Sequence, residues 1–155
     1  MQKLNQSYIK SVVKKALDED LKPRGDITTN LIKFKNNKAK AQIIAKQNGV
    51  IAGLDFCKAA FKIVGKETVF TSKVKDGAKI KKNKVIAEIK AKTKTILIAE
   101  RTGLNFLNHA SGIATLTNQF KKKVNKKTKI CCTRKTTPNL RQLEKYAVKK
   151  GGGFN

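Results

Sequence analysis

Residues 132–155 read CTRKTTPNLRQLEKYAVKKGGGFN. Two features of this stretch decide the reading of the fold. A short apolar run, Ile130-Cys131-Cys132, leads straight into the cationic Thr133-Arg134-Lys135-Thr136, and a helix-patterned segment after it stops on three consecutive glycines. The apolar run reads as a short buried strand, while Pro138 sits where it can open a helix carrying Leu140, Leu143 and Ala147. Strand, cationic loop, helix and glycine turn make one βα unit. In parallel α/β barrels chemistry gathers at the carboxyl ends of the strands, which is where TRKT lies. Arg134 and Lys135 place two cations there, with the hydroxyls of Thr133 and Thr136 and backbone N–H groups available to oxyanions. A site built this way takes an anion; the alternative is a loop of exposed charges in a lysine-rich chain.

Working back from that unit, the segment TILIAERTGLNFLNHASGIATLTNQFKKKV, from Thr95 onward, has helical spacing. Its stripe is mixed in polarity at Ile98, Thr102, Asn105 and Leu107, so one side of it is not simple core. Arg101 and Asn105, spaced i and i+4, fall on one face. Glu100 beside Arg101 suggests a surface ion pair, and Ser111-Gly112 predicts a bend or a division into two helices. His109, the lone histidine, reads as a packed or solvent-facing side chain rather than a catalyst.

Further upstream the pattern is α+β. Leu4, Tyr8, Val12 and Ala16, flanked by Ile9, Val13 and Leu17, form an amphipathic helical stripe. LKPRGDITT, with Pro23 and Gly25, reads as a loop. Ala39, Ala41, Ile43 and Ala45 alternate with mostly polar neighbours, as in a half-buried strand. Leu54, Cys57, Phe61 and Val64 fall at helical spacing up to Gly65. Two strand-like pieces, TVFTSKVK and KVIAEIK, follow, separated by the Asp76-Gly77 turn signal.

Composition bounds the function. The 155 residues suffice for one ordinary domain but not for a catalytic barrel of about 250 residues. The formal charge of +26 suggests a polyanion partner, yet the charge is spread along every segment. Of 36 Lys plus Arg, only Arg24, Arg101, Arg134 and Arg141 are arginine, leaving 36 − 4 = 32 lysines interleaved with apolar residues, as on the solvent faces of ordinary elements. Against that background arginine is informative, because its planar fork grips carboxylate or phosphate bidentately where lysine is a mobile point charge. Cys57, Cys131 and Cys132 have no metal-binding spacing and read as buried, reduced thiols. No apolar run approaches the roughly 20 residues of a membrane span, and the first residues lack a signal-peptide core, so a cytoplasmic protein is expected.

Taken in order, GDITT, GVIAGL, DGAKI, AERTGLNFL, SGIAT, CTRKTTPNLRQLEKYAVKKGGG and the final Asn resemble quinolinate phosphoribosyltransferase, the carboxylating nicotinate-nucleotide pyrophosphorylase. The likeness runs from about residue 17 to the end of the chain. It implies an enzyme of NAD synthesis that condenses quinolinate with phosphoribosyl pyrophosphate, releasing pyrophosphate and CO2 and forming nicotinate mononucleotide with Mg²⁺. Arg134 and Lys135 are implied to bind quinolinate carboxylates, Thr133 to belong to the same strip, and Arg101 to reach the active site of a neighbouring subunit in a homodimer or larger homo-oligomer. The implied fold is an α+β N-terminal sandwich or hammerhead-like domain over residues 1–110, followed in residues 111–155 by the first βα unit of a truncated α/β barrel. In the family the glycine run and Asn are followed by His-Arg and by later strands that hold the phosphoribosyl substrate and the metal. The chain is therefore expected to be a fragment, inactive alone, with its Mg²⁺ ligands beyond residue 155 and no metal ligands or catalytic acid–base group within it.

Two readings of other classes stand beside this one. A small basic nucleic-acid-binding module is favoured by the charge, but aromatic residues are 6% of the chain with no Trp, so stacking platforms are scarce. A lipoyl- or biotin-carrier-like hammerhead around VKDGAKIKKNKVIAEI lacks a carrier lysine at a hairpin tip.

Overall fold

The structure, a computed structural model, describes residues 4–32, 37–125 and 127–155. It is a mixed α/β arrangement in which one long helix joins two cores. Helix α1 (Gln6–Leu21) starts at Asn5, whose side chain accepts the Ser7 N–H, and buries Ile9, Val13 and Leu17 along the expected stripe. Helix α2 (Ile27–Leu31) is a short turn capped by Asp26 of GDITT. Strands β1 (Lys38–Ile44), β3 (Val69–Ser72) and β5 (Val85–Lys92) form an antiparallel sheet in the order β1-β5-β3, while β2 (Gly49–Val50) pairs with β4 (Lys79–Ile80). Helix α3 (Leu54–Val64) lies between β2 and β3, α4 (Thr93–Lys123) follows β5, and α5 (Arg141–Lys150) closes the series.

The alternation read in β1 puts Ala39, Ala41 and Ile43 opposite Ala91, Ile89 and Ala87 of β5 on one face. That face meets Leu54, Cys57 and Phe61 of α3 and Ile96, Ala99 and Leu107 of α4. A second core gathers Ile9, Val13 and Leu17 of α1, Phe56 and Ala60 of α3, Phe106, Ala110 and Ala114 of α4, and Leu143 and Ala147 of α5. Thus α4 contributes to both cores, and it carries the 31 residues that make this possible. The division into two helices expected as one outcome at Ser111-Gly112 does not occur: α4 runs through it without a break. Ser111 turns its hydroxyl out to accept the Ala52 N–H at 3.0 Å instead of competing for its own helix, and Gly112 has open space around it. The boundary expected between residues 110 and 111 falls inside this helix.

Three more expectations change. Ile130–Cys132 is not a buried strand: Cys131 is exposed, and the segment makes one parallel bridge, Cys131 to Phe154. A parallel strand becomes buried when neighbours flank it and helices cover it, and among the described residues Phe154 is its one pairing. Of the three thiols only Cys57 is fully buried, which pushes it up to about 12 and leaves it inert. Helix α5 begins at Arg141 rather than at Pro138, because Asn139 takes a left-handed φ of 64° that a helix cannot include. Lysines such as Lys121–Lys123 and Lys127 are exposed, as the charge pattern implies; Lys126 of the same run lies outside the described residues.

The triple glycine has a packing cause. At Gly151 a Cβ would run into the carbonyl oxygen of Ala114 and come within 2.7 Å of Thr117 Cβ, so α5 ends directly on α4. Gly152 has φ +91°, and a Cβ at Gly153 would stand 2.8 Å from Val148 Cγ1 and 3.0 Å from the Ile130 carbonyl oxygen. The chain thereby turns back to set Phe154 beside Cys131, giving strand–helix–strand connectivity with parallel pairing. Gly151→Ala should cost about 1–3 kcal/mol through overpacking, seen as a lower urea midpoint.

The Asp76-Gly77 turn does more than reverse the chain. Asp76 accepts the N–H groups of Gly53 and Leu54 at 3.0 and 3.2 Å, capping α3 from a distant loop, and also accepts the Tyr146 hydroxyl of α5 at 2.8 Å. Burial raises the Asp76 carboxyl, against the lowering effect of the bonds from Tyr146, Leu54 and Gly53. Asp76→Ala should cost about 1–2 kcal/mol, the loss of the α3 cap. With a raised folded-state value, the native state holds the proton more tightly, so this carboxyl's contribution is complete below its unfolded value and falls as pH rises through the folded one. Chemical unfolding of both proteins should therefore show a larger Asp76→Ala deficit at pH 4 than at pH 7.

Candidate active site

The cationic loop is a short, internally bonded turn between the Cys131–Phe154 bridge and α5. The Cys132 N–H donates to the Phe154 carbonyl at 2.9 Å, and the Phe154 N–H to the Ile130 carbonyl at 2.8 Å, which fixes the loop's entry. The Thr133 hydroxyl oxygen accepts the Lys135 N–H at 3.0 Å, and the Arg134 carbonyl accepts the Thr136 N–H at 3.0 Å. Arg141 Nε donates to the Thr136 hydroxyl oxygen at 3.1 Å. Each threonine hydroxyl therefore uses an acceptor position and keeps its own proton to donate. Arg134 and Lys135 are exposed, and among the described residues neither takes part in an ion pair. What the loop presents is unneutralised cation with hydroxyl donors on either side.

Arg101 stands elsewhere, exposed on α4. Its Nη1 lies 3.0 Å from Asp20 Oδ1 at the end of α1, so its partner is not the expected Glu100. A residue and its immediate successor on a helix diverge by about 100°, whereas α1 passes beside α4. The guanidinium charge also reaches Asp26, although that carboxyl is lowered chiefly by the Thr29 hydroxyl and N–H, with burial working the other way. Asn105 and His109 continue the Arg101 stripe at i+4 and i+8, and both are exposed. A cavity of about 600 Å³ opens between α1, α4 and the start of α5, lined by Glu19, Asp20, Asn105, Asn108, His109 and Leu140. His109 Nε2 lies 3.0 Å from Glu144 Oε1 on α5. The eight residue steps from Arg101 to His109 span about 12 Å of helix. Within one chain, no hydrogen bond or ion pair among the described residues joins Arg101 to the Thr133–Lys135 loop.

Asp20 and Glu144 make side-chain bonds here that the sequence does not point to. Their partners lie 81 and 35 positions away, beyond the reach of any local spacing rule. A second cavity, about 590 Å³, lies between the sheet and α4, where Ile43, Ile89 and Leu107 line it together with polar residues such as Gln47, Asn48 and Thr115. Among the described residues no group of three or more His, Cys, Asp or Glu is placed to hold a metal ion. The charged side chains of the cationic loop, Arg134 and Lys135, are donors only and do not suit a metal. Among the described residues no helix is long and apolar enough to cross a membrane.

Comparison with known proteins gives a consistent match along the chain. Residues 26–111 match the family model for the quinolinate phosphoribosyl transferase N-terminal domain, and residues 113–155 the model for its C-terminal domain. A probable carboxylating nicotinate-nucleotide pyrophosphorylase of Methanocaldococcus jannaschii is 45% identical over 94% of this chain and 51% of its own length. Its Bacillus subtilis counterpart is 38% identical over 98% of this chain and 52% of its own. The crystal structure of NadC from Streptococcus pyogenes superposes with a TM-score of 0.95 at 38% identity, covering 100% of this chain and 55% of that one. The chain spans about half the length of the curated relatives it matches.

Proposed function

We propose, for a chain that belongs to the quinolinate phosphoribosyl transferase family, that it forms the N-terminal part of an enzyme making nicotinate mononucleotide for NAD synthesis in the cytoplasm. The observation that carries this reading is the exposed Arg134-Lys135 pair, in no ion pair among the described residues, between two threonine hydroxyls and directly after the segment that bridges Phe154 in parallel across α5. In this reading residues 1–110 form an α+β sandwich or hammerhead-like domain. Residues 111–155 then begin an α/β barrel.

The chemistry needs fixed cations more than a nucleophile. Quinolinate carries two adjacent carboxylates, and the Arg134 fork can hold one in fixed orientation, with Lys135 and Thr133 beside it, so that the ring nitrogen faces the anomeric carbon of phosphoribosyl pyrophosphate. The nitrogen lone pair forms the new C–N bond as the C–O bond to pyrophosphate breaks. The carboxylate next to the nitrogen then leaves as CO2, its bonding electrons stay on the ring carbon beside the positive nitrogen, and that carbon takes up a proton. Quinolinate, phosphoribosyl pyrophosphate and H⁺ thus give nicotinate mononucleotide, pyrophosphate and CO2. Both substrates are polyanions, which the loop's fixed positive charge favours throughout. Mg²⁺ travels in this reading with the pyrophosphate donor, on groups outside residues 1–155.

The charge of +26 also supports a nucleic-acid-binding reading. The two part cleanly by titration: saturable quinolinate binding that Arg134→Ala abolishes supports the enzyme, whereas binding to random-sequence DNA that weakens steeply with salt and ignores Arg134 contradicts it. Expressed by themselves, residues 1–155 should show no turnover of quinolinate with phosphoribosyl pyrophosphate, because one βα unit does not enclose a barrel site. Product formation by that polypeptide, followed by chromatography, would refute the expectation.

A further inference from the structure

We propose that Glu144, with His109 behind it, is a positioning pair that sets the shape of the Thr133–Thr137 loop. The inference rests on the reading that this loop grips a carboxylate. Glu144 lies in the first turn of α5, and its Oε2 accepts the backbone N–H of Thr137 at 3.3 Å, two residues beyond Lys135. Its other oxygen, Oε1, meets His109 Nε2 at 3.0 Å. The Glu144 side chain is 12% exposed and that of His109 40%, so the carboxylate is largely enclosed and the imidazole closes it off from solvent. Burial acts to raise the carboxyl, but the bonds from Thr137 and His109 outweigh it and hold Glu144 below its ordinary range, an ionised acceptor at neutral pH.

The geometry explains why a pair at this place matters. At one shoulder of the loop, Thr133 and Lys135 bond to each other. At the other, the Thr137 N–H donates to Glu144 Oε2. With both shoulders tied, Arg134 and Lys135 project from a fixed backbone, which a bidentate grip requires. His109 lies on α4, the helix that also bears Arg101, so the loop is referenced to α4 and not to α5 alone. Glu144 touches no reacting atom in this account; it acts through the Thr137 backbone.

The test uses a protein of family length carrying this sequence, with two independent readouts. In Glu144→Ala, hydrogen exchange read by mass spectrometry on the peptide spanning Thr133–Leu140 should show the Thr137 amide exchanging roughly tenfold faster, the scale of one lost hydrogen bond to a charged acceptor. The KM for quinolinate should rise by about the same factor, with kcat and the KM for phosphoribosyl pyrophosphate changing less. Glu144→Gln keeps an acceptor oxygen for Thr137 and should restore both readouts, and His109→Ala should give intermediate values. Unchanged exchange and unchanged quinolinate KM in Glu144→Ala overturn the proposal, as does a folded Gln variant as impaired as the Ala one. Should Glu144→Ala not fold, His109→Ala decides by the same two readouts. An enzyme with no quinolinate turnover at all defeats the functional reading instead, while the exchange measurement still reports on the pair.

Discussion

Arg134→Lys, in a protein of family length, should weaken quinolinate binding and turnover by about 1.5–3 kcal/mol, the worth of a charged hydrogen bond, or roughly 10- to 150-fold. The substitution keeps the positive charge, so simple attraction survives. What disappears is the planar fork that fixes a carboxylate in one orientation, and orientation decides whether the ring nitrogen faces the anomeric carbon. Arg141 offers an internal comparison. Its Nε donates to the Thr136 hydroxyl oxygen, an exposed contact that supports the loop and that Lys, which keeps the charge and a donor, can in part replace. Arg141→Lys should therefore be the milder change. Steady-state kinetics of the two variants against wild type checks the contrast, and an Arg134→Lys enzyme with wild-type parameters would end the fork argument.

Arg101 and Arg134 should complement each other across subunits. In the single chain Arg101 pairs with Asp20 and, among the described residues, makes no bond to the cationic loop, as expected of an arginine that serves a neighbouring copy's site. In a symmetric dimer each site would combine Arg134 of one chain with Arg101 of the other. Arg101→Ala and Arg134→Ala should each lose at least about a hundredfold in kcat when pure, the usual scale for removing one fixed charge-stabilising donor. Mixed and allowed to exchange, half the dimers become hybrids holding one intact site and one with both lesions, so activity should recover towards about a quarter of wild type. Turnover before and after exchange, with hybrids verified by native mass spectrometry, gives the answer. Inactive verified hybrids would place Arg101 in its own subunit or in the fold alone.

Much of this architecture is legible in short-range pattern. The period-2 run at Ala39, Ala41 and Ile43 gives β1, and the stripe of Ile9, Val13 and Leu17 gives α1, because burial on one face of a regular element leaves a fixed spacing in sequence. Helix α3 ends at Gly65 for the same local reason. The errors arise where a local signal is answered by a distant partner. Ser111-Gly112 looks like a break, yet Ser111 satisfies its hydroxyl on Ala52 and the helix runs on. Ile130–Cys132 is apolar enough for a covered strand, but covering is a property of neighbours and not of three residues. Asp76 reads as a turn residue and proves to be the cap of α3 and the partner of Tyr146, 70 positions on.

The site divides in the same way. Thr133, Arg134 and Lys135 are contiguous, so their shared loop is visible directly, and arginine is conspicuous in a chain that otherwise writes lysine. Arg101 is marked by the same scarcity of arginine, but its role at a neighbouring subunit's site enters by resemblance to the family, since its helix face alone suggests an ordinary ion pair. Glu144 and His109 leave no trace in spacing, because only the packing of α5 on α4 brings them together.

The function proposed for the cationic loop of this chain is a decarboxylating phosphoribosyl transfer to quinolinate. The most direct measurement supplies a protein of family length carrying this sequence with phosphoribosyl pyrophosphate, Mg²⁺ and quinolinate labelled in the carboxylate next to the ring nitrogen. The account predicts labelled CO2 and pyrophosphate released in equal amounts with nicotinate mononucleotide, and loss of all three in Arg134→Ala. A folded protein that releases no labelled CO2, or releases it undiminished after Arg134→Ala, would contradict it.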